Sequence, residues 1–160
     1  MIGDAGEIGA FKKLKEDYKN KGYIIERENS NEIWFCNDEI NENVYIKLCN
    51  DNSFKQPGYD ILLKISKNGE DKIKYYEVKT HTRNSIKRDE IKLSYQQFKL
   101  YREKKEDFIV MLMTAYGGGN SWTAEEEVRF DPFYNYEGKN VIPENMDYIF
   151  HYKNDYKMLS

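Results

Sequence analysis

The stretch PGYDILLKISKNGEDKIKYYEVKT, residues 57–80, decides how this chain folds. Two β-rich runs, YDILLKIS and KIKYYEVKT, flank Asn68-Gly69, the strongest short hairpin signal in the sequence. If those two residues form the whole loop, Lys67 pairs with Glu70 and Asp60 falls directly opposite Glu77. A four-residue loop would set Asp60 opposite Lys79 instead. In either register Asp60, Glu77 and Lys79 share one face, because strand side chains repeat every two residues. Opposed side chains in a hairpin lie about 5 Å apart at Cβ. Two carboxylates at that separation repel, and nothing in a sheet requires them there. A divalent cation would remove the repulsion and use both as oxygen ligands.

Working outward, Asp4 to Lys21 reads as a helix with Ile8, Phe11, Leu14 and Tyr18 on one face. Asp4 is the expected N-cap, Glu7 its capping-box partner, and Gly22 the stop. Three short strands follow: Tyr23–Arg27, Glu32–Cys36 and Val44–Leu48. After the hairpin, Ser94 to Glu106 reads as a second helix capped by Ser94, with Phe98, Tyr101 and Leu100 facing inward. Asp107–Tyr116 is nearly continuous in apolar residues, the mark of a central strand buried on both faces. Gly117–Ser121 reads as a flexible turn, Glu126–Phe130 as a strand, and Asp147–Tyr152 as a last short strand. Helix, several strands, helix, strand implies an α/β layer with a central mixed β-sheet flanked by helices.

At 160 residues we expect one domain spanning 1–160, with a core over 3–116 and a tail over 117–160 that adds strands or a partner surface. Charged residues make up 33% and hydrophobic ones 39%, and no run of about 18 apolar residues exists, so no membrane span is expected. The N-terminus lacks the apolar stretch of a signal peptide, and a cytoplasmic location is expected. Cys36 and Cys49 stand far from any CxxC pattern and read as free thiols. The net charge of −3 argues against a strong general grip on nucleic acid, but the charge is uneven. Between Lys79 and Lys105 nine Lys/Arg face three Asp/Glu, a local +6, leaving about −9 for the remainder. That basic stretch directly follows Glu77-Val78-Lys79, where a phosphate backbone would be wanted. A solvated helix face explains the same charges.

Taken together, Pro57-Gly58-Tyr59-Asp60 followed by Glu77-Val78-Lys79, a preceding helix with an acid and a following basic helix resemble the PD-(D/E)XK nuclease superfamily. Within it the strands read most like the NO VEIN C-terminal domain family, with Mrr-like restriction nucleases also similar. LSYQQF (93–98) looks like that family's L-T/S-x-x-E-W segment, with Gln97 where an acid is usual. QFKLY (97–101) has the Q-x-x-x-Y spacing of RecB-like nucleases. The proline precedes the acid by three residues rather than one. The likeness runs from Gly3 to Tyr116, apart from an insertion around residues 37–42.

The resemblance implies a restriction-endonuclease-like core and Mg²⁺-dependent hydrolysis of DNA phosphodiester bonds, with Mn²⁺ able to substitute. Asp60, Glu77 and the Val78 carbonyl are then the metal ligands. Lys79 stabilises developing negative charge at the phosphate. Glu7 orients Lys79 or helps a second metal, and Gln97 bonds the attacking water or phosphate. His81, Arg83, Lys87, Arg88 and Lys92 are candidate substrate contacts. A homodimer or a larger prokaryotic restriction, defence or repair assembly is the expected setting. The rival reading is a catalytically silent nucleic-acid-binding or scaffold domain that keeps the fold. RNA as substrate is a further alternative. Trp34 and Trp122 read as core or partner surface rather than stacking platforms.

Overall fold

The computed structural model describes residues 2–49, 58–84, 90–132 and 148–151. Helix α1, Ile2–Asn20, buries Gly6, Ala10, Phe11, Leu14 and Tyr18, one stripe at three- and four-residue spacing. It begins two residues earlier than expected. Asp4 therefore lies in its first turn rather than at the cap, where its charge still suits the positive end of the helix. At the other end Gly22 adopts φ +92°, its N–H donates to the Lys19 carbonyl at 3.0 Å, and the Tyr23 N–H reaches back to the Tyr18 carbonyl at 3.1 Å. Those paired bonds close the helix as the glycine foretells.

Five strands then form an antiparallel meander: β1 (Ile24–Glu28), β2 (Glu32–Asn37), β3 (Glu42–Leu48), β4 (Ile61–Lys67) and β5 (Glu70–Thr82). The β4–β5 ladder runs from Lys67↔Glu70 to Ile61↔Tyr76. Asn68 and Gly69 both have positive φ, 53° and 80°, so the loop has two residues and the first of the two registers is the one adopted. The chain next crosses over through β6 (Glu90–Leu93), α2 (Tyr95–Lys104) and a 3₁₀ turn at 105–107. It returns as β7 (Phe108–Gly118), parallel to β5, because a parallel neighbour cannot be reached by a tight turn. β8 (Ser121–Phe130) pairs antiparallel with β7 and ends the mixed sheet, whose order is β1-β2-β3-β4-β5-β7-β8. The turn expected over Gly117–Ser121 is shorter, since β7 reaches Gly118 and β8 starts at Ser121. Strand β6 had no clear sequence signal. It pairs with β9 (Tyr148–His151), the last strand expected, in a separate two-stranded sheet.

The sheet separates two apolar layers, one beneath each helix. Under α1 lie Phe35, Ile46, Ile61, Leu63, Tyr76, Val78 and Met111, with partners from every strand of the meander. Under α2 lie Leu93, Phe98, Tyr101, Phe108, Val110, Leu112 and Phe130. Phe108 to Ala115 are all buried, which is why this strand reads as continuously apolar. Among the described residues no helix is long and apolar enough to cross a membrane. Cys36 and Cys49 are free thiols.

Candidate functional site

The pleat of β5 divides its residues between the layers. Tyr76 and Val78 enter the α1 layer, so Glu77 and Lys79 turn toward α2. Asp60 stands one residue beyond β4, on the side shared with Glu77. Three bonds fix it: its N–H donates to the Tyr76 carbonyl at 2.8 Å, its carbonyl accepts the Cys49 N–H at 2.7 Å, and its Oδ2 accepts the Val78 N–H at 2.8 Å. Just before it, Gly58 has φ +85°, and a Cβ there would come within 3.1 Å of the Gln96 carbonyl. The first turn of α2 therefore rests directly on the approach to Asp60.

That turn brings Gln97 to the acids. Ser94 caps α2: its side chain accepts from the Gln97 N–H, and Gln97 Oε1 accepts from the Ser94 N–H at 2.9 Å, a complete capping box. The same Oε1 accepts from Lys79 Nζ at 3.0 Å, while Gln97 Nε2 donates to Glu77 Oε1 at 2.7 Å. Lys79 Nζ also lies 3.2 Å from Glu77 Oε1. Glu77, Lys79 and Gln97 thus form a closed triangle. The glutamine is cap partner and bridge at once, so its two readings coexist.

Glu7 arrives from the other layer. A Cβ on Gly6 would sit 1.7 Å from Thr80 Oγ1, so only glycine lets α1 approach β5 this closely. Glu7 then shares a hydrogen bond with Asp60. Lys79 is held by Glu77 and Gln97, while Glu7 engages Asp60.

Electrostatics follow from this crowding. Glu77 is only 4% exposed. Burial first, and the Asp60 charge second, push its carboxyl up to about 8, against which the Lys79 ammonium pulls down. Burial and the neighbouring Asp60 and Asp4 charges push Glu7 up to about 7. Burial also raises Asp60, opposed by the Val78 N–H and Lys79. The three acids cannot all ionise cheaply together, so the cluster holds protons near neutral pH.

Such a donor set fits a hard cation. Among the described residues no three His, Cys, Asp or Glu side chains stand as a ready-made metal cage. Asp60 and Glu77 would supply two oxygens and water the rest, the usual way Mg²⁺ is held. Of Val78, the group tied to Asp60 is the N–H.

The remaining candidates fare differently. His81 follows Lys79 on the same face, but its Nε2 lies 2.6 Å from Glu127 Oε2 and 3.1 Å from Thr114 Oγ1. Its ring is thus held by two internal partners and is largely buried. Glu127 reaches it because β8 bulges opposite Leu112 and Met113, pairing them with Val128 and Glu126 and skipping Glu127. Sequence reasoning missed Thr114 and Glu127, since a bulge leaves no mark in the alternation. Arg83 is exposed beyond β5. Lys92 is exposed on β6, between the buried Ile91 and Leu93. Lys87 and Arg88 lie outside the described residues, as do 133–147 and 152–160 of the tail.

No curated protein and no solved structure matches the chain. The family model "Protein NO VEIN, C-terminal" matches residues 6–124, a span that holds α1 from Gly6 onward, the whole Asp60–Glu77–Lys79–Gln97 cluster, β7 and the first four residues of β8. With the match covering most of its length, the chain belongs to the NO VEIN C-terminal domain family.

Proposed function

We propose that this domain is a metal-dependent nuclease of the PD-(D/E)XK type, with a restriction-endonuclease-like core, that hydrolyses DNA phosphodiester bonds. One observation carries the reading: Asp60, Glu77 and Lys79 share one sheet face, with Glu77 buried and tied to Lys79 both directly and through Gln97. A buried acid pair that repels itself costs stability without return unless a ligand uses it. Mg²⁺ held by Asp60 and Glu77 would polarise the phosphate and acidify a bound water.

This chain's own residues would do the rest. The Val78 N–H fixes Asp60 in its rotamer. Gln97 holds Lys79 Nζ beside Glu77, aimed where negative charge would build on the phosphate. Glu7, with a carboxyl near 7, is suited to hold or release a proton beside Asp60. A prokaryotic restriction, defence or repair assembly fits a domain of net charge −3, whose overall charge does not steer it toward nucleic acid.

The test incubates the purified chain and Lys79→Ala with supercoiled plasmid, linear duplex and single strands, in Mg²⁺, Mn²⁺ or EDTA. Cleavage that needs metal and vanishes in the variant supports the nuclease. No cleavage by either, together with no calorimetric Mg²⁺ or Mn²⁺ binding, overturns it in favour of a silent scaffold.

A further inference from the structure

The two faces of the sheet are unequally covered. The α1 layer spans the whole meander. The α2 layer draws on β5, β6, β7 and β8 and includes no residue of β1–β4. The α2-side face of β1–β4 therefore lacks an apolar cover among the described residues, although it carries large rings. On it Trp34 pairs with Tyr45, and Tyr45 with Lys64. Trp34 and Tyr45 rings lie 5.2 Å apart and tilted by 34°, one continuous aromatic surface. The Arg27 guanidinium stacks over Trp34 at 3.8 Å, and Lys64 Nζ hangs 5.9 Å from the Tyr45 ring. Lys47 occupies the next row, opposite Leu62, which in turn pairs with Tyr75.

This surface runs into the acid cluster. Tyr75 lies two residues before Glu77 on the same side of β5. Its ring meets that of Tyr59, the neighbour of Asp60, edge-on at 5.0 Å. From β2 to β5 is about 14 Å at a strand spacing of ~4.8 Å. Among the described residues of β1–β5, three acids share the face ahead of the cluster, and one of them, Asp71, accepts from the Ser66 hydroxyl at 2.6 Å. Glu32 is turned aside by the Tyr45 hydroxyl and the Asn29 amide, and Glu26 sits at the outer rim beside Cys36. The cations Arg27, Lys47 and Lys64 stand among the rings themselves.

We propose that the Trp34–Tyr45 face of β2–β4 binds an unpaired nucleic-acid strand and leads it to Asp60, Glu77 and Lys79. Bases stack on the Tyr45 ring and on the Arg27 plane that lies over Trp34, and Lys47 and Lys64 take the phosphates. A paired duplex hides its base faces and cannot use the rings. The inference rests on the nuclease reading for what the strand is led to, but its binding step stands apart from cleavage.

The chain holds two tryptophans, Trp34 and Trp122. In a Trp122→Phe chain, Trp34 becomes the sole reporter. Its fluorescence is titrated with oligothymidylate, and with the same strand annealed to oligodeoxyadenylate, in EDTA. We expect quenching by the single strand at least about ten-fold tighter than by the duplex, weakened by salt. Tyr45→Ala should weaken it by about ten-fold or more, the loss of one base–aromatic stack. Arg27→Ala/Lys64→Ala, changes at the surface that spare the core, should weaken it and flatten the salt dependence. Far-UV circular dichroism and an unchanged melting temperature keep a misfolded variant from counting. No quenching, equal affinity for duplex, or binding indifferent to Tyr45 and Arg27/Lys64 overturns the platform even if plasmid is cut. Strand binding with no plasmid cleavage and no Mg²⁺ or Mn²⁺ binding sustains the platform and defeats the nuclease reading instead.

Discussion

Replacing Glu77 by glutamine should make the protein more stable, and the gain should grow with pH. The carboxyl moves from 4.5 in the unfolded chain to about 8 in the fold, chiefly because it is buried and secondly because Asp60 is near. Between those values the folded state binds a proton that the unfolded state lacks, so stability falls as pH rises. The full contribution is present below about 4.5 and is lost progressively up to about 8. At 1.36 kcal/mol per pH unit, the loss from this group is about 3 kcal/mol at pH 7 and approaches about 5 kcal/mol above pH 8. Glu7, raised to about 7, and Asp60, also raised, add slope of the same sign. Glutamine cannot titrate, yet keeps an oxygen to accept from Gln97 Nε2. The downward pull of Lys79 is already contained in the shift to about 8, so the lost pairing adds no separate cost. Urea denaturation followed by circular dichroism from pH 5 to 8.5 measures this. The expected outcome is a midpoint that falls with pH in the native chain and much less in Glu77→Gln, at equal m-values. A native chain whose stability is flat across that window, or a variant less stable at pH 8, would refute the account of a strained, proton-holding acid.

Other outcomes are expected from the same geometry. Mg²⁺ at a hundred times its Kd should raise the native chain's stability by about 2.7 kcal/mol in the same denaturation assay and leave Asp60→Asn/Glu77→Gln unmoved. Gly6→Ala, which sets a methyl 1.7 Å from Thr80 Oγ1, should cost about 1–3 kcal/mol despite alanine's better helix propensity, with partial recovery in Gly6→Ala/Thr80→Ala by thermal melting. Ser94→Ala removes one half of the α2 capping box and should cost about 1 kcal/mol in urea denaturation. Arg129 is 8% exposed and holds Asp17 of α1 and Glu126 of its own strand, each at 2.8 Å; Arg129→Met strands two carboxylates and should cost about 3–5 kcal/mol, read as a fall in the urea midpoint.

Much of this protein was determined locally by its sequence. Asn68-Gly69 marks the hairpin and puts Asp60, Glu77 and Lys79 on one face in either register; the two-residue loop of positive φ that it forms then pairs Lys67 with Glu70 and carries Asp60 to the level of Glu77. The apolar run 108–115 had to be buried on both faces, and Ser94 and Gly22 mark helix ends because each satisfies backbone groups nothing else nearby could. These are short-range constraints, and a short-range reading finds them. Tertiary structure decided what depends on distant parts meeting. Glu7 reaches Asp60 only because Gly6 admits α1 against Thr80. Gln97 touches Lys79 and Glu77 only because α2 crosses behind β5 and lies on Gly58. Glu127 turns to His81 through a bulge, and Trp34 stays only partly buried because, among the described residues, the α2 layer takes in only the other half of the sheet. Periodicity tells which side of an element is apolar. It does not tell which element will cover that side, because coverage is set by the summed packing of both layers rather than by any one segment.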